Sequence, residues 1–196
     1  MKSIDKNVEH QIIIERSKFI TKLFKVNTEQ EVKSILDNLN NEYKDSTHIC
    51  YAYIIGNIKR FNDDGEPGGT AGMPILNVLE NNELNYILAV VIRYFGGIKL
   101  GAGGLVRAYS NSISECLKLT EIKELVNGVK LEITFSYNNI EQINYLLKDI
   151  EITNKIFDNN IIYEFNISNF KLLEINEKLN TLVISQKEKE QLLITL

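Results

Sequence analysis

Hydrophobic and polar positions alternate along the first part of the chain, between His10 and Val26. A period of two is typical of strands, and the sequence ERSK within this segment predicts a tight turn between two of them. The apolar positions that follow recur at helical spacing, with Thr28 as the predicted N-cap and Glu31 three residues later. The apolar stripe of this predicted helix comprises Val32, Ile35, Leu36 and Leu39.

The middle of the chain contains two strongly apolar segments, residues 47–56 and 86–95. The second, YILAVVIRYF, is almost continuously apolar, which predicts a central strand covered on both faces. Between the two segments, Pro74 predicts the first position of a helix, because a missing N–H costs nothing there. A further helix, expected to end near Leu119, has its apolar positions at Leu105, Tyr109, Ile113, Cys116 and Leu117.

The pattern changes near Asn127 and Gly128. Strand and helix signals then follow in the order βαββαβ, with a hairpin turn at DNN, and this order is that of a ferredoxin-like domain. We therefore expect an α+β fold class with two domains, residues 1–126 and 127–196. The second domain contains no arginine, histidine or cysteine, so we expect a packing or docking role for it.

The composition of the 196 residues is that of a globular protein, with 44% hydrophobic and 24% charged positions. No apolar run approaches the ~20 residues that span a bilayer, and the first residues contain no hydrophobic signal core. We therefore expect a cytoplasmic protein with no membrane partner. The 2 cysteines are too few for a disulfide framework. The net charge of -4 argues against indiscriminate attraction to nucleic acid.

Arginine is concentrated near two glycine-rich segments, whereas lysine supplies most of the positive charge elsewhere. Arg60 precedes the loop DDGEPGGTAG, and Arg93 and Arg107 bracket the segment RYFGGIKLGAGGLVR. A forked guanidinium is well suited to gripping carboxylate or phosphate groups. This placement indicates a binding site.

The glycines between Arg93 and Arg107 match neither standard phosphate loop. A dinucleotide fingerprint requires glycine where Val106 stands, and a P-loop requires lysine where Ala102 stands. Glycines before a helix still leave N–H groups free for an anion, and Lys99 adds positive charge. The alternative is that they only permit tight turns and close packing. The predicted anion- or nucleic-acid-binding residues are Arg60, Arg93, Lys99, Gly101, Gly103, Gly104 and Arg107.

The acidic loop offers Asp63, Asp64 and Glu66, with Thr70 as a further loop partner. Carboxylates suit Mg²⁺, but their spacing here is not that of an EF-hand. A solvated turn, or pairing of these acids with the nearby arginines, is the alternative and the expected role.

His48 and Cys50 lie two residues apart on a predicted strand and therefore share a face. Zinc requires more nitrogen and sulfur ligands than His10 and Cys116 supply. A Cys–His nucleophile has no evident group to orient it. We expect no metal, no cofactor and no catalytic residue.

Two long motifs, DDGEPGGTAGMP and VVIRYFGGIKLGAGGLVRAYS, resemble the YigZ/Impact family, and SKF and HICYAY upstream fit the same pattern. The resemblance covers the first predicted domain, and the remainder is similar to the smaller ferredoxin-like domain of bacterial members. Gly68 stands where the family usually has serine, and Met73 where arginine is common. The second difference removes one cation from the predicted site.

The resemblance implies a first domain that folds like the second domain of the fifth small-subunit ribosomal protein. It also implies that the two domains together resemble domains four and five of elongation factor G. Eukaryotic members, the Impact proteins, restrain a starvation-responsive translation kinase by competing for its activator. Bacterial members have no settled biochemical activity, and the kinase interaction is not carried over to this chain.

Three hypotheses for the function follow. The first is a non-enzymatic factor linked to translation regulation that binds RNA, the ribosome or a translation-associated protein. The second is a phosphate- or nucleotide-using enzyme of the galactokinase–homoserine kinase fold class, in which the acidic loop holds Mg²⁺. The third is a protein-docking scaffold. The sequence leaves the oligomeric state open.

Overall fold

The computed structural model describes residues 1–195, which divide into two compact units. The first unit is Met1–Glu124, and the second begins at Leu125. Both combine helices with antiparallel sheets, so the fold class is α+β, as the sequence predicts. No helix among these residues is long and apolar enough to cross a membrane.

The first unit is built on a five-stranded antiparallel sheet. The strands of this unit are β1 (Lys2–Ile4), β2 (Val8–Ile14), β3 (Ser17–Lys25), β4 (His48–Ile55), β5 (Ile58–Asn62) and β6 (Ile87–Tyr94). The helices are α1 (Glu29–Glu42), α2 (Gly72–Asn81) and α3 (Gly101–Leu117). The sheet order is β2-β3-β6-β4-β5, so β6 is the central strand.

Helices cover both faces of this sheet. On one face, Phe19 and Leu23 of β3 pack in a core that includes residues of α2 and α3. On the other face, Ile20 packs in a separate core with Val32 and Leu39 of α1. Every residue of β6 except its last is buried, which confirms the prediction of a central strand covered on both sides.

The predicted hairpin between β2 and β3 is present. Ile14 pairs directly with Ser17, so Glu15 and Arg16 alone form the turn. Both have positive φ, 45° and 65°, a geometry that two-residue hairpin turns usually fill with asparagine and glycine. The turn is therefore held by the strand pairing on either side, against the preference of its own residues.

Helix boundaries follow the sequence at α1 and depart from it at α2. The Glu31 N–H donates to Thr28 Oγ1 at 3.2 Å, and the Glu31 carboxylate accepts from the Asn27 N–H at 2.8 Å. The predicted N-cap of α1 is thus confirmed. Helix α2 begins at Gly72, so Pro74 is its third residue and not its first. Proline is tolerated there because the N–H groups of a first turn have no partner within the helix.

The second unit shows the predicted βαββαβ order. Its strands are β7 (Ile122–Phe135, which starts in the first unit), β8 (Ile152–Phe157), β9 (Ile161–Ser168) and β10 (Ser185–Thr195). Its helices are α4 (Ile140–Leu146), preceded by a 3₁₀ turn, and α5 (Asn169–Leu182). The strands pair antiparallel in the order β10-β7-β9-β8. One sheet face packs on the helices through a core that contains Leu131, Ile133, Phe165, Ile143 and Leu179.

Candidate functional site

An ion pair is buried between the acidic loop and the central strand of the first unit. Arg93 Nη1, at the end of β6, lies 2.5 Å from Glu66 Oε1, and both side chains are almost fully buried. The Tyr109 hydroxyl on α3 donates to the same carboxylate oxygen at 2.8 Å. Loop, strand and helix are therefore joined at one carboxylate.

The rest of the Arg93 guanidinium is also enclosed by protein. Its Nη2 is 3.4 Å from Ser17 Oγ, and its Cζ lies 5.4 Å from the Phe19 ring centroid and 5.6 Å from that of Phe95. The Arg93 Nε has no hydrogen-bond partner. The charge of Arg93 is neutralised inside the protein, so Arg93 is not placed to make the phosphate contact predicted from the sequence. Its geometry is that of a structural ion pair.

The other acids of the loop are occupied by backbone donors. Asp63 accepts from the N–H groups of Gly69, Ala71 and Gly72 at 2.7–3.0 Å and so caps the start of α2. Asp64 Oδ2 accepts from the Ile49 N–H at 2.5 Å.

Thr70 belongs to the same loop. Its hydroxyl donates to the Pro67 carbonyl at 2.6 Å. These contacts fix the shape of the loop, and within residues 1–195 no group of three or more His, Cys, Asp or Glu side chains is arranged to hold a metal.

His48 and Cys50 do not form a nucleophile pair. Cys50 is fully buried, and its Sγ lies 3.0 Å from the Asp63 carbonyl and 3.3 Å from the Tyr109 hydroxyl. Burial raises the pKa of the Cys50 thiol to about 12, and burial likewise raises the pKa of Tyr109. A neutral, enclosed thiol is a poor nucleophile.

His48 stands at the solvent edge of this polar cluster. Its Nδ1 is 2.7 Å from the Asp64 carbonyl oxygen, and its Nε2 is 3.9 Å from Glu66 Oε2. The carbonyl contact is satisfied by a proton on Nδ1. The imidazole therefore anchors the loop through Asp64 and Glu66.

The glycines of the second motif serve different purposes. A Cβ on Gly96 would collide with the backbone of Arg16, so this glycine lets the loop pack against the β2–β3 turn. Gly101 has φ +68°, which glycine adopts without strain at the start of α3. Gly103 has neither constraint, because only Arg107 Nη1 lies near its Cβ position, at 3.9 Å. Packing therefore accounts for part of the motif and leaves Gly103 unexplained.

The start of α3 borders an open groove of about 870 Å³. Lys99 and Arg107 are both exposed there, and neither makes an ion pair or a side-chain hydrogen bond with any of residues 1–195. No side chain caps the first N–H groups of α3. We call this feature the α3 groove, and it is lined by Ile14, Glu15, Ile98, Lys99, Leu100, Gly104, Val106, Arg107, Ala108, Ser110, Asn111 and Ser114.

The predicted site residues thus fall into three places. Lys99, Gly104 and Arg107 line the α3 groove, with Gly101 and Gly103 in the first turn of the same helix. Arg93 lies in the buried pair. Arg60 is exposed on β5 and donates to the Lys59 carbonyl at 3.0 Å, and it does not line the groove.

Sequence reasoning missed the wall that the β2–β3 hairpin gives to the groove. Ile14 and Glu15 come from the opposite end of the unit's sequence, and only the sheet brings them to α3. Their placement carries no local sequence signal. Ser110, Asn111 and Ser114 do have a local signal, because they fall on the side of the predicted helix opposite its apolar positions.

The chain is similar to known proteins over the residues that form this site. The Impact N-terminal domain matches residues 15–117. These residues include β3, the acidic loop and every residue that lines the α3 groove except Ile14. This chain belongs to the Impact family.

Relatives within the Impact family extend beyond that domain. The Bacillus subtilis family member YvyE is 42% identical over 158 residues, covering 76% of this chain and 73% of its own. The Escherichia coli family member YigZ is 32% identical over 173 residues and 85% of each chain. Rabbit protein IMPACT is 34% identical over 102 residues, which are 48% of this chain and 32% of its own.

A solved structure supports the fold. A hypothetical protein of known crystal structure aligns with a TM-score of 0.62 and 31% identity, covering 92% of this chain and 91% of its own. The two-domain translational regulator Yih1 aligns over 60% of this chain and 46% of its own, at 17% identity and a TM-score of 0.35. The latter similarity is too low to carry an argument about fold or function.

Proposed function

We propose that this protein is a non-enzymatic factor linked to translation that binds RNA through the α3 groove. One observation carries the proposal. Two unpaired cations, an uncapped helix start and a row of neutral polar side chains all lie in the same groove. The link to translation rests on the resemblance to the Impact family, whose eukaryotic members restrain a translation kinase.

The groove has the chemistry that a phosphodiester backbone requires. Lys99 and Arg107 supply charge for phosphate oxygens, and the first N–H groups of α3 add the positive end of the helix dipole. Gly103 leaves the backbone open for close approach. The overall charge of -4 disfavours indiscriminate attraction of RNA, so binding depends on local patches of positive charge such as this one.

Among the described residues, the open face of the second unit's sheet offers no aromatic surface for RNA. The aromatic residues of its described strands, Phe135, Phe157, Tyr163 and Phe165, all lie on the face that packs on the helices. The opposite face carries paired charges, such as Lys189 with Glu132 at 2.6 Å. Base stacking on an open sheet therefore has no aromatic platform here.

The enzyme hypothesis finds less support. Asp63, Asp64 and Glu66, the acids that it assigns to Mg²⁺, are engaged by N–H, hydroxyl and guanidinium donors. We expect no thermal shift with Mg-ATP or other nucleotides, and a clear shift would revive this hypothesis.

The RNA proposal is tested by the salt dependence of binding. The binding constant K for a labelled single-stranded RNA is measured by fluorescence anisotropy at about 50 to 300 mM KCl. Over such a range log K falls linearly with log[salt], because binding releases counterions from the phosphates. Lys99→Ala with Arg107→Ala removes two phosphate contacts, so the slope of log K against log[salt] flattens by about 1.4. Lys6→Ala with Lys44→Ala, two exposed lysines outside the groove, is the charge-matched control.

Equal slopes for the groove variant and the wild type contradict the proposal. Arg60→Ala in the same assay tests whether this separate arginine is a contact of its own. A pull-down from lysate with and without nuclease addresses the scaffold alternative, because partners that survive nuclease are held by protein contacts.

The finer fold assignments belong to the same proposal. The βαββαβ order and the strand order β10-β7-β9-β8 support a ferredoxin-like second domain. The first unit is proposed to resemble the second domain of the fifth small-subunit ribosomal protein, a domain type associated with RNA.

A further inference from the structure

Glu15 is the one acidic side chain that lines the α3 groove among the residues described. It is exposed and makes no ion pair, although Lys99 and Arg107 line the same groove. A free carboxylate weakens the field that attracts phosphate, so its presence calls for a role other than phosphate binding.

The Glu15 backbone is held rigidly at the rim. The pairing of Ile14 with Ser17 fixes a two-residue turn, and Gly96 packs directly against the backbone of Arg16. Glu15 itself has φ +45°, a conformation that side-chain-bearing residues rarely adopt. The rigid hairpin therefore fixes the point on the groove rim from which the Glu15 side chain extends.

An ionised carboxylate only accepts hydrogen bonds. In a nucleic acid, the donors that suit it are the base amino groups, N4 of cytosine, N6 of adenine and N2 of guanine. Uracil presents two carbonyl acceptors around a single donor and so repels a carboxylate. These base edges are available only in unpaired strands.

The size of the groove sets the length of the strand. The lining of α3 runs from Gly104 through Arg107 to Ser114, roughly 15 Å at 1.5 Å per residue. A strand advances at least ~3.4 Å per phosphate, so the groove spans at most about four nucleotides. Lys99 and Arg107 lie toward the start of this path, and Ser110, Asn111 and Ser114 continue it with neutral partners for ribose or base.

We propose that the α3 groove takes a short single-stranded segment and that Glu15 selects an amino-bearing base over uracil. This inference rests on the proposed function, and it adds a specificity-determining residue to the phosphate contacts. Ile98, Leu100 and Val106 form the apolar wall against which such a base packs.

The test compares labelled C8, A8 and U8 RNA by anisotropy at one fixed salt concentration. The wild type is expected to bind C8 and A8 at least about fivefold more tightly than U8. Glu15→Gln, whose amide both donates and accepts, brings that ratio close to one. Glu177→Gln removes the same charge from an exposed position in the second unit and leaves the ratio unchanged.

The outcomes separate this inference from the function on which it rests. If all three oligonucleotides bind equally while Lys99→Ala with Arg107→Ala abolishes binding, base selection by Glu15 is wrong and the RNA proposal stands. If the preference persists in Glu15→Gln, the selecting residue lies elsewhere. An RNA duplex that competes as well as C8 contradicts the single-strand assignment. If no RNA binds at all, the proposed function fails and the inference with it.

Discussion

The buried pair of Glu66 and Arg93 makes the strongest energetic prediction. Replacing Glu66 by leucine leaves the guanidinium with a single long hydrogen bond, 3.4 Å to Ser17 Oγ, and two ring contacts. It also removes the acceptor of the Tyr109 hydroxyl. Breaking a buried pair on one side costs about 3–5 kcal/mol, and we expect Glu66→Leu to destabilise the first unit by that amount.

The expected loss is large against the whole stability of a domain, about 5–15 kcal/mol. Glu66→Leu with Arg93→Met removes both charges and replaces them with apolar side chains. Because no buried charge is then left unpaired, the double variant should recover at least about 2 kcal/mol of the loss. Glu115→Gln, which breaks the exposed pair with Lys118, is the control and should cost less than about 0.5 kcal/mol.

Thiol labelling isolates the unit in question. Cys50 and Cys116 are the cysteines of this chain, both are fully buried, and both lie in the first unit. Labelling as a function of urea concentration therefore reports the unfolding of the first unit alone, whatever the second unit does. A cost below about 1 kcal/mol for Glu66→Leu, or a double variant no more stable than the single one, would refute this account of the pair.

The remaining predictions concern the glycines, a helix cap and pH. Gly96→Ala should destabilise the first unit strongly, because the added Cβ meets the backbone of the β2–β3 turn. Gly103→Ala should stabilise α3 by up to about 1 kcal/mol and should also weaken RNA binding. Thr28→Ala should cost about 1 kcal/mol in urea unfolding, since it removes the cap of α1, and an unchanged midpoint contradicts that role. Burial raises the pKa of the Cys50 and Cys116 thiols from 9.0 to about 12, so the folded protein keeps both protonated longer than the unfolded chain does. The contribution of the two thiols to the free energy of unfolding is fully present below about pH 9 and is lost as pH rises toward 12. Urea unfolding followed by circular dichroism should show this decline. A variant with both cysteines changed to alanine should show less of it.

Much of the architecture could be predicted because it depends on short-range patterns. The period of two in β2 and β3, the continuous apolar run of β6 and the cap at Thr28 each act within a few residues. The start of α2 could not be placed in this way. Asp63 caps that helix from across a loop, and Pro74 was the stronger local signal.

The candidate site likewise contains residues that a local sequence pattern places and residues that only the tertiary structure places. The sequence by itself determined that Lys99, Gly103 and Arg107 would lie at one helix start, because a glycine-rich turn and a helical period fix neighbours in space. Only the tertiary structure decided that Arg93 is neutralised by Glu66 and that Glu15 faces the groove. An arginine near an acidic loop has the same local sequence whether it is buried or exposed. Its role was decided by the sheet, which sets loop, strand and hairpin at distances that no local pattern encodes.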